Sequence, residues 1–145
     1  NPKYEYIINE FARIKFSGKL FTEQIIFSLN HNLAGTADLI EVNYNNINIF
    51  DFKTNKALNF VSKYNTRMKY PLDYLSDCNG TGYILQLSIY AFLLEEMGYL
   101  VQKLTILYIN SVTDEIQIIP VQYKRKEVQR LLEHFTWERS LLAFF

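Results

Sequence analysis

Gly35-Thr36-Ala37-Asp38-Leu39-Ile40-Glu41-Val42-Asn43-Tyr44-Asn45-Asn46-Ile47-Asn48-Ile49-Phe50-Asp51-Phe52-Lys53 decides the architecture. It contains two alternating apolar runs, Thr36–Val42 and Ile47–Lys53, around an asparagine-rich turn at Asn43–Asn46. Asparagine tolerates the left-handed backbone of tight turns, so the pair reads as an antiparallel hairpin. Upstream, Leu20 to Leu29 also alternates, and a turn around Asn30–Gly35 joins it to the hairpin. Together the three runs predict an antiparallel meander.

Each of these strands carries one carboxylate at a telling position. By alternation, Glu23 shares a face with Ile25, Phe27 and Leu29. Asp38 shares one with Ile40 and Val42, and Asp51 with Ile47, Ile49 and Lys53. An ionised carboxylate on a core-facing side is costly unless paired or bound to a cation. Three on successive strands would repel one another, and one lysine cannot neutralise them. A divalent cation held by oxygen ligands resolves the conflict. The lysine two residues beyond Asp51 adds chemistry, since an amine beside an activated water can orient it or take its proton. Taken alone, the Asp51–Lys53 pair would equally read as a strand ion pair of little worth.

Around the meander the chain reads as one α/β domain over residues 1–145. Asn1 and Pro2 suit a helix start, and Tyr4, Ile7, Ile8 and Phe11 follow helical spacing toward Gly18. Residues 54–82 lack a sustained period and are expected to form a long connection with at most a helical piece. Tyr83–Met97, apolar nearly all round and closed by Gly98, predicts a buried helix. Strands follow at Leu104–Asn110 and Glu115–Tyr123, the second marked as an edge by Pro120. Lys124–Leu142 closes as an amphipathic helix with Val128, Leu131, Leu132 and Phe135 on one face. The expected core is thus a central mixed sheet, a three-strand meander plus further strands, flanked by helices.

Composition bounds the rest. Of 145 residues, 49% are hydrophobic and 21% charged, which excludes a disordered chain. No apolar run reaches the ~18–20 residues a spanning helix needs, so no membrane partner is expected. The lone Cys78 can form neither an internal disulfide nor a cysteine cluster, and it fits a reducing compartment. The chain begins at Asn1 without a signal-like segment, which admits a domain excised or trimmed from a longer protein. Net charge is zero, yet the signs are segregated. Residues 20–51 hold four acids and no Lys or Arg; residues 52–72 hold five bases and no acid. In that basic stretch Lys56, Lys63, Arg67 and Lys69 alternate with Phe60, Tyr64 and Tyr70. Cations grip phosphates and aromatic faces stack on unpaired bases, although a solvated loop accounts for many such runs.

The order Gly35-Thr36-Ala37-Asp38, Asp51-Phe52-Lys53 and Gln86-x-x-x-Tyr90 resembles the PD-(D/E)XK nuclease superfamily, in its RecB-like exonuclease branch, over roughly residues 20–110. The resemblance implies a restriction-endonuclease-like core. It also implies hydrolysis of DNA with one or two Mg²⁺ or Mn²⁺ ions, held by Asp38, Asp51 and the Phe52 carbonyl. Lys53 would be the catalytic lysine, and Glu23 a third acidic residue, with Glu5 and Glu10 as rivals for that place. Gln86 and Tyr90 would position the DNA backbone or the lysine; otherwise they are a buried pair satisfying each other. Lys56, Lys63, Tyr64, Arg67 and Lys69 would bind DNA as a flexible flap. The iron–sulfur cluster of some relatives is not expected, given one cysteine. His31 reads as a solvated turn residue and His134 as a surface or helix-end charge.

The implied function is a metal-dependent DNase, an exonuclease acting on DNA ends or single strands in repair or recombination. Alternatives are a catalytically silent module that binds DNA ends or a protein, and a structure-specific endonuclease or junction resolvase. A helicase or another domain of a larger protein is a further expected partner. The expected location is the cytoplasm, or the host cytoplasm for a phage-encoded enzyme.

Overall fold

The computed structural model describes residues 2–142. Along the chain run α1 (Pro2–Phe11), β1 (Lys19–Ser28), β2 (Leu33–Asn43), β3 (Asn46–Lys53), α2 (Asn79–Glu96), β4 (Leu100–Ile109), β5 (Ile116–Val121) and α3 (Arg125–Leu142). The meander forms as expected, with β1–β2 and β2–β3 antiparallel. A two-residue loop closes the second hairpin between Asn43 and Asn46, with Tyr44 at φ +56°. The chain then crosses over through α2, so that β4 lies parallel to β3 and β5 returns antiparallel beside β4. The five strands lie in chain order, and β5, with Pro120, takes one edge.

The all-round apolar character of α2 has a simple cause: it is covered on two sides. Its Leu87 and Ala91 pack with Ile49 and Ile106 of the sheet in the main core. On α3, Val128 is fully buried, and the buried Ser88 hydroxyl of α2 accepts the Lys124 backbone N–H at 3.0 Å, fixing where α3 begins. A smaller core on the opposite sheet face joins Leu39, Phe50 and Leu107 to Phe11, Ile14 and Phe16. From one face to the other the layers are α1 with its following segment, sheet, α2, and α3. No helix among the described residues is long and apolar enough to cross a membrane.

Four expectations need correcting. On β1 the buried residue is Ile26, while Ile25, Phe27 and Leu29 are exposed. The cause is a kink: Glu23 has φ +50°, and the β1–β2 ladder skips the Glu23–Asp38 position while pairing Thr22 with Leu39 and Gln24 with Ala37. Alternation therefore changes phase at Glu23, and the apolar-face argument for that carboxylate fails. Secondly, α1 ends at Phe11 rather than near Gly18. Gly18 instead lies so close to Val42 of β2 that a Cβ there would strike its carbonyl. The expected cap at Asn1 lies outside the described residues.

Thirdly, α2 starts at Asn79, four residues before the expected Tyr83, and residues 54–78 contain no α-helix. They form a strap held by side-chain and backbone hydrogen bonds rather than a loose flap. Ser62 Oγ accepts the Tyr64 and Thr66 N–H groups, Arg67 bridges to Ser76, and Asn79 Oδ1 accepts the Asn59 N–H. Such contacts leave no periodic trace in sequence. His31 also departs from its reading, because its Nε2 lies 2.7 Å from Glu96 Oε1. His134 sits within α3 with its ring edge-on to Tyr70.

Candidate active site

The site lies where β2 and β3 part. Their ladder ends at Leu39–Phe50, whereas the β3–β4 ladder continues to Lys53–Tyr108. Past the last rung, Asp38 supplies the missing acceptor: its Oδ2 takes the Phe52 N–H at 2.8 Å. The N–H and C=O of one strand residue point to the same side. The Phe52 carbonyl therefore points into the same opening. On the other sheet face the Phe52 ring meets Phe11 edge-on at 5.5 Å, which holds this end of β3 in place.

Asp51 keeps the parity read from the sequence. It continues the Ile47–Ile49 face toward α2 and is 3% exposed. Lys53, two residues on, brings Nζ to 2.7 Å from Asp51 Oδ2. Asp51 Oδ2 is buried, and the Lys53 ammonium is the cation set against it. Burial pushes the Asp51 carboxyl above its ordinary pKa; the Lys53 ammonium opposes this, and the neighbouring Asp38 charge reinforces it. A buried carboxylate beside a second one is a poor place for uncompensated negative charge and a good one for a cation.

The α2 wall completes the arrangement. Gln86 Oε1 accepts from Lys53 Nζ at 3.0 Å, and Gln86 Nε2 donates to the Tyr90 hydroxyl at 3.2 Å. Tyr90 lies against Gly35, where an added Cβ would stand 2.6 Å from the ring. Gly35 is thus required by close approach. The motif glycine, glutamine, tyrosine and lysine are one connected unit.

Glu23 is not joined to this unit. It is exposed on the β1 kink, and no group of three His, Cys, Asp or Glu able to hold a metal occurs among the described residues. Glu5 is exposed on α1, and Glu10 pairs with Arg13 at 3.2 Å. The three-carboxylate site expected from alternation is therefore a two-carboxylate one. It still fits a divalent cation of the Mg²⁺ type, which keeps several waters and needs only one or two carboxylates. The observation that favours the fit is the buried Asp51 carboxylate with Asp38 beside it and a single lysine to offset the two. Lys56, Lys63, Tyr64, Arg67 and Lys69 all lie exposed on the strap that follows Lys53.

Sequence reading missed Glu41 and Asn55. Glu41, on the opposite sheet face, is 5% exposed, and its carboxylate accepts from Ser17 N and Oγ, Gly18 N and Asn48 Nδ2. Burial raises its pKa, but these bonds outweigh burial and hold it below the ordinary value. Asn55 gathers Tyr83, Tyr108 and Ser111 just beyond Lys53. The Leu39-x-Glu41 alternation placed Glu41 on the strand's other face, yet nothing in the sequence marked that face as covered.

The family model of the PD-(D/E)XK nuclease superfamily matches residues 4–142. The chain belongs to that superfamily. Among solved structures, a putative exonuclease from Eubacterium rectale shares the fold with a TM-score of 0.57 at 20% identity. The match covers 92% of this chain and 50% of that one, so the chain spans about half that structure's length. No curated protein matches the chain. The residues on which the sequence resemblance rested lie on three elements: Asp38 on β2, Asp51 and Lys53 on β3, Gln86 and Tyr90 on α2.

Proposed function

We propose that this nuclease-fold protein is a Mg²⁺- or Mn²⁺-dependent deoxyribonuclease that hydrolyses phosphodiester bonds at DNA ends or in single strands. The observation that carries the reading is the linked set Asp38, Asp51, Lys53, Gln86 and Tyr90, in which two neighbouring carboxylates share one lysine. Asp38, Asp51 and the Phe52 carbonyl would hold the cation, which supplies Lewis acidity and offsets phosphate charge. Glu23 would add at most an outer contact from its exposed position.

Lys53 is the group placed to orient water toward phosphorus and to stabilise the charge that develops there. Gln86 fixes its ammonium from the α2 side and is itself held by Tyr90. The exposed Lys56, Lys63, Arg67 and Lys69 of the strap, with Tyr64 among them, would run along the substrate backbone. By family analogy the products carry a 5′-phosphate and a 3′-hydroxyl.

The test is cleavage of linear single- and double-stranded DNA with Mg²⁺ or Mn²⁺ by wild type, Lys53→Ala and Asp51→Asn. Both variants are expected to lose about 10²–10⁴-fold in rate. Undiminished cleavage by both would overturn the mechanism. Comparison with circular DNA separates action at ends from internal cutting.

A further inference from the structure

Lys53 carries a flexible four-carbon stem, and such a side chain holds a fixed position only if several walls confine it. Two walls are described above, the Asp51 carboxylate and the Gln86 amide oxygen. The third is the face of Tyr83, whose ring centroid lies 4.5 Å from Lys53 Nζ. Tyr83 precedes Gln86 by three residues on α2, so both project from the same helix face.

The ring is anchored in turn. Its hydroxyl donates to Asn55 Oδ1 at 2.8 Å. The Asn55 backbone carbonyl accepts the Tyr108 hydroxyl at 3.0 Å and the Ser111 N–H at 3.0 Å. Tyr108 is the register partner of Lys53 on β4, so the anchor is built on the strand beside the lysine.

We infer that Tyr83 is a positioning residue for Lys53, its ring closing the ammonium's cage and Asn55 holding that ring in place. This rests on the reading of Lys53 as the catalytic lysine. Asp51 serves two roles in that reading, as lysine partner and as cation ligand. Gln86 and Tyr83 are neutral walls that hold the ammonium without competing for the carboxylate. A quadrupole face favours a desolvated ammonium, and displacement of a reacting group by about 1 Å can cost roughly 10²-fold in rate.

The test uses Tyr83→Leu, which removes the ring, Tyr83→Phe, which keeps it, and Asn55→Ala, which frees it. Each is read in two ways. In metal-free protein, acetylation of Lys53 by acetic anhydride is followed by mass spectrometry, with the exposed Lys103 as internal reference. Loss of the cage in Tyr83→Leu is expected to raise relative Lys53 labelling about fivefold, with Tyr83→Phe within about twofold of wild type. In steady-state cleavage, Tyr83→Leu is expected to lower kcat about tenfold with KM unchanged, and Tyr83→Phe to lower it about two- to threefold.

Asn55→Ala should fall between the two in both readouts, and it carries the test if Tyr83→Leu does not fold. Wild-type labelling in Tyr83→Leu, or equal defects in Tyr83→Phe and Tyr83→Leu, would overturn the proposal. A change confined to KM would do the same. Raised labelling in a protein that cleaves no DNA supports the cage while overturning the nuclease reading, so the two failures are distinguishable.

Discussion

Two buried carboxylates sit on opposite faces of the same sheet, and the fold treats them oppositely. Glu41 faces the α1 side and is satisfied by two backbone N–H groups, a hydroxyl and an amide. Its bonds outweigh burial, and its pKa falls. Asp51 faces α2 with the Lys53 ammonium as its partner and a second acid nearby, and its pKa rises. A fully donated carboxylate is a fastener that ties the segment before β1 to β2 and β3. One held by a lysine, with a second carboxylate beside it, is where we propose that a cation binds.

That contrast can be broken most forcefully by activity. Lys53→Ala or Asp51→Asn is expected to reduce DNA cleavage about 10³-fold, while Glu41→Gln leaves the rate per folded molecule at the wild-type level. A comparable activity loss in Glu41→Gln would erase the distinction between the two faces. Next in size is Gly35→Ala. Its Cβ would push Tyr90, loosen Gln86 and misplace Lys53, lowering kcat about 10–100-fold without unfolding the protein. Crystals or NMR showing Tyr90 unmoved in that variant would separate the glycine from the site.

Stability sharpens the comparison further. Glu41→Gln replaces an acceptor that Asn48 needs by a donor, and is expected to cost about 2 kcal/mol in denaturant unfolding at neutral pH. The pH dependence has a definite sign. Because the folded pKa of Glu41 is lowered, its contribution is complete above the ordinary carboxylate pKa and drains away as pH falls through the folded value. The wild-type and Glu41→Gln stability curves should therefore converge toward acid. Parallel curves would contradict the assigned pKa shift.

Asp51 predicts the smallest effect, and the opposite one. Its raised pKa means that the charge disfavours the fold in metal-free protein, with stability lost as pH rises from the ordinary carboxylate range. Asp51→Asn should then melt slightly above wild type at neutral pH in chelator. A clear drop in its melting temperature would show that the Lys53 pair outweighs burial.

How much of this could be read from the chain follows local physics. On β3 the backbone is regular, so alternation placed Asp51 and Lys53 correctly beside the Ile47–Ile49 face. On β1 one residue, Glu23, adopts φ +50°, and every face assignment beyond it inverted. Alternation cannot register a kink that alternation itself does not require. The strap escaped because hydrogen bonds from Ser62 and Asn79, rather than periodic burial, hold it. Glu41 escaped because its donors come from Ser17 and Gly18, remote in sequence, and from an asparagine on the next strand. Asp51 and Lys53 on β3, and Gln86 and Tyr90 on α2, were legible since those elements are regular; Asp38 sits where the β2 ladders break, opposite the Glu23 kink.

The opening between β2 and β3 is proposed to hold a divalent cation through Asp38 and Asp51. Calorimetric titration of Mn²⁺ into the purified, metal-free protein tests it without any reliance on cleavage. Saturable binding at millimolar or tighter concentration is expected in wild type and in Glu41→Gln, and none in Asp51→Asn. Absence of binding in wild type, or undiminished binding in Asp51→Asn, would contradict it.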